Sequence, residues 1–137
     1  MAEQPAAKPW HFTPFHVDDD PSKPGRRQNW FDLAALEKAL GRKITWVYSN
    51  LIQPGATAGS HYHKEHEVLV WVVEGELTMH LRDVRSDLAE TLRLPANGPL
   101  LCVPKEVYHA GANLGDRPCL ALMFASSRPR NSKDEYF

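Results

Sequence analysis

The residues best suited to chemistry stand together in PGATAGSHYHKEHEVLVWVVEGEL, residues 54–77. Side chains two apart on a β-strand face the same side, so His61 and His63 point together, and Glu67 shares their parity on an unbulged strand. Two imidazoles and one carboxylate on a single face form the 2-His-1-carboxylate set that binds divalent first-row metals. Downstream, GPLLCVPKEVYHAGAN carries His109 just beyond Pro104. An antiparallel return places His109 opposite the first pair and completes a four-ligand metal centre of His61, His63, Glu67 and His109. The ion is Zn, Fe, Mn or Ni, since imidazole and carboxylate accept each of them. The same residues suit proton transfer beside a carbonyl, because free histidine titrates near neutral pH. His61 or His63 is then the base, and Tyr108 or His109 the proton donor.

The neighbouring candidates carry less. His66 reads as a solvated turn residue and stands in reserve for Glu67 as a ligand. His80, in LTMHL, reads as an exposed strand position, and His11 and His16 have no spacing signal. Tyr48, Trp71 and Tyr108 are aromatic candidates for a cavity wall, although aromatics in a barrel are mostly core.

These side chains need a rigid frame, and the texture of the chain supplies one. From Lys43 onward, short runs of Val, Ile, Leu, Thr and Trp alternate with turn signals such as Pro54-Gly55, Glu74-Gly75 and Gly115-Asp116. They predict strands near 44–52, 60–63, 67–73, 76–82, 90–94, 99–104, 108–112 and 117–125, and hence an all-β sandwich or small barrel. Residues 30–40 predict a helix: Leu33, Leu36 and Leu40 recur at helical spacing, Asn29 or Asp32 caps the start, and Gly41 ends it. Residues 1–29, rich in proline, read as an extended, irregular arm lying across its own barrel or a partner subunit's. Residues 30–137 form a single domain.

Composition narrows the partners. The 137 residues fit one domain, and 16 basic against 17 acidic side chains leave a net charge of -1. That balance gives no electrostatic reason to expect nucleic acid or an anionic membrane. No apolar stretch reaches the roughly 20 residues of a membrane helix. MAEQPAAKPW lacks the basic and apolar segments of a secretory signal, so a soluble cytoplasmic protein with a small-molecule substrate is expected. Cys102 and Cys119 sit in apolar runs and read as buried free thiols.

The two histidine segments resemble the paired motifs of the cupin superfamily. Gly55, His61, His63 and Glu67 match the first motif in order, and Gly98, Pro104, His109 and Asn113 match the second. Glu67 stands eight residues before Gly75 where the motif has seven, which puts Val68 at the motif's carboxylate position; were the strand shifted, Glu67 would turn outward and leave a three-histidine site or none. Glu106 replaces a motif glycine. The resemblance implies a double-stranded β-helix, the jelly-roll barrel of the cupins, as a homodimer with ligands at the matched positions. HYHK, NLGD, ALMFASS and the DEYF ending look like the small cupins of sugar-nucleotide metabolism, the 3,4-ketoisomerases and the C-terminal cupin of capsule-sugar enzymes. That likeness implies an isomerase or epimerase acting on a carbonyl-bearing, nucleotide-linked sugar. Those families carry Arg-Gly before the histidines, where this chain has Ala58-Gly59. Two other functions fit the motifs: a metal-dependent dioxygenase, cyclase or lyase, and a non-catalytic small-ligand-binding module.

Overall fold

The computed structural model describes residues 8–15, 25 and 28–127; His16, the Asp18–Asp20 run, Arg26, Arg27 and the DEYF ending lie outside them. The order is β1 (His11–Thr13), α1 (Leu33–Leu40), β2 (Trp46–Ile52), β3 (Thr57–His61), β4 (Val68–Glu74), β5 (Glu76–Asp83), β6 (Ala89–Pro95), β7 (Leu100–Val103), β8 (Val107–Ala112) and β9 (Cys119–Ala125). They form two antiparallel sheets, β1-β7-β4-β9-β2 and β3-β8-β5-β6. This is the all-β jelly roll with one short helix that the sequence predicts.

The run VLVWVVE in β4 shows why the sheets stack. Val68, Val70 and Val72 point between the sheets and pack with Leu77, Met79 and Leu81 of β5. Leu69 and Trp71 point to the other face, where Leu36 and Leu40 of α1 cover them with Phe124. A strand buried on both sides reads as unbroken apolar sequence rather than as alternation. Trp71 is therefore core; its indole N–H donates to the Gly98 carbonyl at 3.0 Å.

The helix starts at Leu33 rather than residue 30, because the Asp32 carboxylate accepts from the Ala34 and Ala35 amides at 3.0 and 3.3 Å. Phe31, ahead of the cap, meets Trp71 edge-on at 5.2 Å. Gly41, at φ 75°, ends the helix as predicted. Residues 10–13 lie across the protein's own barrel, one of the two expected placements, partly as a short strand rather than as irregular chain. His11–Thr13 pair with β7 of the same chain, and Trp10 is buried while its indole donates to Glu90 at 2.9 Å. Both cysteines are free and buried, and burial pushes the Cys102 thiol up to about 11. Among the described residues no helix is long and apolar enough to cross a membrane.

Asn113, a residue of the second motif, holds the far end of the barrel. Its side-chain amide donates to the Ile52 and Arg117 carbonyls at 2.8 and 2.7 Å, and its Oδ1 accepts from the Gly115 amide at 3.0 Å. Its backbone ties to Gly55 and Ala56, so one buried residue joins the β2–β3 and β8–β9 turns. Asn113→Ala strips partners from buried backbone groups and is expected to cost about 2–4 kcal/mol, read as a lower urea midpoint with an unchanged slope.

Candidate active site

β3 and β8 set the register of the histidines. Ala58 pairs with Gly111 and Gly59 with Ala110, but the next pair is His61 with His109, which leaves Ser60 as an extra residue. On a regular ladder Ser60 would oppose His109 and face inward with Ala58, while His61 would face out. The one-residue bulge reverses that parity. Ser60 takes φ 73° and Gly59 φ 94°, the left-handed region that makes room for the extra residue. A Cβ on Gly59 would lie 3.0 Å from the His109 carbonyl oxygen and 3.4 Å from its ring. Glycine is what lets the two strands come together there.

The turn between β7 and β8 fastens the second histidine of the pair. Glu106 occupies the motif's glycine position with φ 62°, so the turn is kept despite the substitution. Its amide donates to the His63 carbonyl at 2.6 Å, joining the two motifs directly. Its carboxylate pairs with Arg85, which holds the Glu106 carboxyl below the usual carboxylate range.

Three imidazoles meet as a result. Ring centroids lie 4.6 Å apart for His61–His63, 4.8 Å for His61–His109 and 5.6 Å for His63–His109. One ligand nitrogen from each lies within 4.8 Å of the others. Nδ1 of His109 sits 3.2 Å from the Val107 carbonyl. A carbonyl only accepts, so the proton belongs on Nδ1 and the lone pair on Nε2. Burial pushes the His109 pKa down to about 3, against the pull of that carbonyl and with His61, His63 and His66 adding to the effect. His109 is therefore neutral near pH 7. In that form its Nε2 lone pair can hold a cation. A histidine anchored through one nitrogen and open at the other is the usual form of a metal-bound imidazole. The donor set thus fits a divalent ion.

Other predicted site residues stand elsewhere. Glu67 is not with the histidines: Val68 takes the inward position and Glu67 pairs with Arg42 on the outside of the barrel. Its backbone is held there by Ser126, whose hydroxyl accepts from the Glu67 amide at 3.2 Å. Tyr108 also points away, because it neighbours His109 on one strand; the Arg82 guanidinium lies 5.5 Å over its ring. It is no proton donor for this site. His66 is buried rather than solvated, with its ring 4.7 Å from that of His63. His80 is exposed as expected and reaches Thr91 Oγ1 at 3.0 Å.

The histidines line one end of a cavity of about 670 Å³ between the sheets, which opens beside β2 and β3. Tyr48 lines it, as proposed from the sequence. Trp46, Asn50, Met79 and Met123 line it too, and sequence reasoning missed them. The alternation of Trp46, Tyr48, Asn50 and Ile52 along β2 was the available signal.

A family model described as Cupin domain matches residues 50–125. No curated protein matches the chain. Among solved structures, the capsular polysaccharide assembling protein CapF from Staphylococcus aureus is 24% identical with TM-score 0.64, over 70% of this chain and 27% of that one. The chain thus spans only about a quarter of CapF. A 3,4-ketoisomerase from Helicobacter canadensis is 18% identical with TM-score 0.75, over 94% of this chain and 90% of its own. The TDP-quinovose 3,4-ketoisomerase WlaRB from Campylobacter jejuni is 18% identical with TM-score 0.76, over 95% and 93%. At these identities the likeness is one of fold.

Proposed function

The chain belongs to the cupin family, and from that premise we propose that it is a small isomerase or epimerase that moves a proton beside the carbonyl of a sugar-like substrate. The observation that carries this reading is the meeting of His61, His63 and His109 in one largely apolar cavity. Isomerisation of this kind takes a proton from the carbon next to a carbonyl and returns one to a neighbouring position. A neutral imidazole accepts the first proton, and a second imidazole within reach delivers the other. His61 or His63 takes the first proton, while burial keeps the His109 ring neutral with its Nδ1–H on the Val107 carbonyl. A divalent ion held by the same three histidines would polarise the carbonyl as a Lewis acid, with a coordination position left open for substrate. The solved 3,4-ketoisomerases of the same fold support the sugar part of the reading.

The test is solvent exchange. In D2O the chain is expected to place deuterium beside the carbonyl of one member of a panel running from free and nucleotide-linked keto sugars to apolar hydroxyketones, followed by proton NMR. His61→Ala should slow that exchange about 10²–10⁴-fold. Exchange equal to that of buffer across the whole panel removes the reading.

A metal-dependent dioxygenase, cyclase or lyase is the second reading. It is favoured by the three inward nitrogens, which among the described residues have no carboxylate beside them in the cluster. Oxygen uptake by the iron-loaded chain separates the two. A homodimer belongs to the proposal as well: β2 is the edge of its sheet and exposes Val47 and Leu51.

A further inference from the structure

The walls of the cavity constrain what enters it. Away from the histidines, its floor is Ile52, Val68, Val70, Leu77, Met79 and Met123. All six side chains are buried. No Lys, Arg, Asp or Glu is among the described lining residues. The nearby cations Arg42, Lys43, Lys64 and Lys105 gather at a separate surface depression. A diphosphate drawn into the cavity would lose its hydration without gaining a counter-charge from any described lining side chain, a costly burial. An apolar ring or branched chain there trades water for contact with thioethers and branched side chains, a gain.

Among the described lining residues, side-chain polar groups are those of the histidine cluster, the Trp46 indole, the Tyr48 hydroxyl and the Asn50 amide. The Asn50 amide nitrogen lies 3.8 Å from the Met123 sulfur. A thioether is a weak acceptor, so this N–H can be redirected to a ligand oxygen at little cost. A volume of about 670 Å³ is ordinary for a small-molecule site, so charge rather than size decides.

We infer that the cavity takes an uncharged carbonyl compound with an apolar body and its oxygens gathered at one end, and not a nucleoside diphosphate sugar. For the reaction, this rests on the proton-transfer reading above and names its substrate class; for binding, it stands alone.

The probe is α-hydroxyacetophenone, which carries the hydroxymethyl ketone of a ketose on a phenyl ring, set against thymidine diphosphate. Both are titrated calorimetrically into the full chain at low and high salt. The hydroxyketone is expected to bind saturably, with little salt dependence, and at least about tenfold more tightly than the nucleotide. It should shift the methyl resonances of Met79 and Met123. Ala58→Trp, which fills the cavity from β3, should abolish the binding; the methyl shifts locate the ligand should that variant not fold. Absence of saturable hydroxyketone binding, methyl resonances left unmoved, or tighter binding of thymidine diphosphate overturns the inference. Hydroxyketone binding without proton exchange on any carbonyl compound leaves it standing and removes the isomerase. Exchange on a nucleotide sugar alone does the reverse.

Discussion

Gly59→Val is expected to drive His61 out of the cavity, and deleting Ser60 from that same variant to bring it back. Valine at φ 94° sits in a region that L-residues occupy only at a cost of about 1–2 kcal/mol, more when they are β-branched. Its Cβ would also press on the His109 carbonyl at 3.0 Å. The strand escapes both penalties by straightening into a regular ladder. Ser60 then opposes His109 and faces inward, and His61 turns to solvent. One ligand of three is lost, and zinc affinity in a competition titration should fall by about 100-fold or more. Removing Ser60 restores the count: His61 follows the introduced valine directly, opposes His109 and faces inward without a bulge. Affinity should return to within about tenfold of the parent chain. General damage to β3 predicts the opposite order, since two lesions would then be worse than one. Equal loss of zinc in both variants, with far-UV circular dichroism unchanged, would dispose of the bulge as the positioning device.

The same geometry explains which parts of the site were legible in the sequence. The meeting of His61, His63 and His109 was readable because two separate motifs answered each other, and a β-barrel offers few ways to bring both to one place. Glu67 was misplaced because parity was carried from His63 across residues that are not a strand. β3 ends at His61 and β4 begins at Val68, so the loop between them resets which face is inward. The extra residue before Gly75 was the visible trace of that reset. His66 looked like a turn residue from its neighbours Lys64 and Glu65, yet it is buried, in a loop outside the regular strands where no periodicity shows which side chains turn inward. Tyr108 was a different kind of error. Strand alternation alone puts it opposite to His109, and the rule that paired His61 with His63 excluded it. β1 escaped notice because three residues after a proline hold too little pattern, and only its partner β7 makes it a strand. The fold class survived these misses because it rests on many short strands and turns, none of them decisive alone.

Acid should expose the cost of keeping His109 neutral. Its pKa is about 3 in the folded chain, and an unfolded histidine titrates near 6.5. Over that interval the unfolded chain binds more protons than the folded one, so stability falls as pH falls. The contribution is fully present above about pH 6.5. It is lost progressively on the way down to about pH 3. By about pH 4.5 the loss is expected to reach roughly 3 kcal/mol, measured by urea unfolding in the presence of a chelator. Below that point carboxylates join in, and their loss has the same sign. Asp83 is held below the usual carboxylate range by the Ser86 hydroxyl, Glu90 by Lys8 and Glu106 by Arg85. Each therefore favours the folded chain only while ionised. His109→Gln keeps a polar group in the same space but cannot gain a proton, and it should flatten the upper part of the profile while leaving the carboxylate part alone. A parent chain whose stability is level from about pH 6.5 to 4.5 would mean that the ring is solvated enough to accept a proton in place. The assignment of His109 as a ring held neutral by burial would then have to be given up.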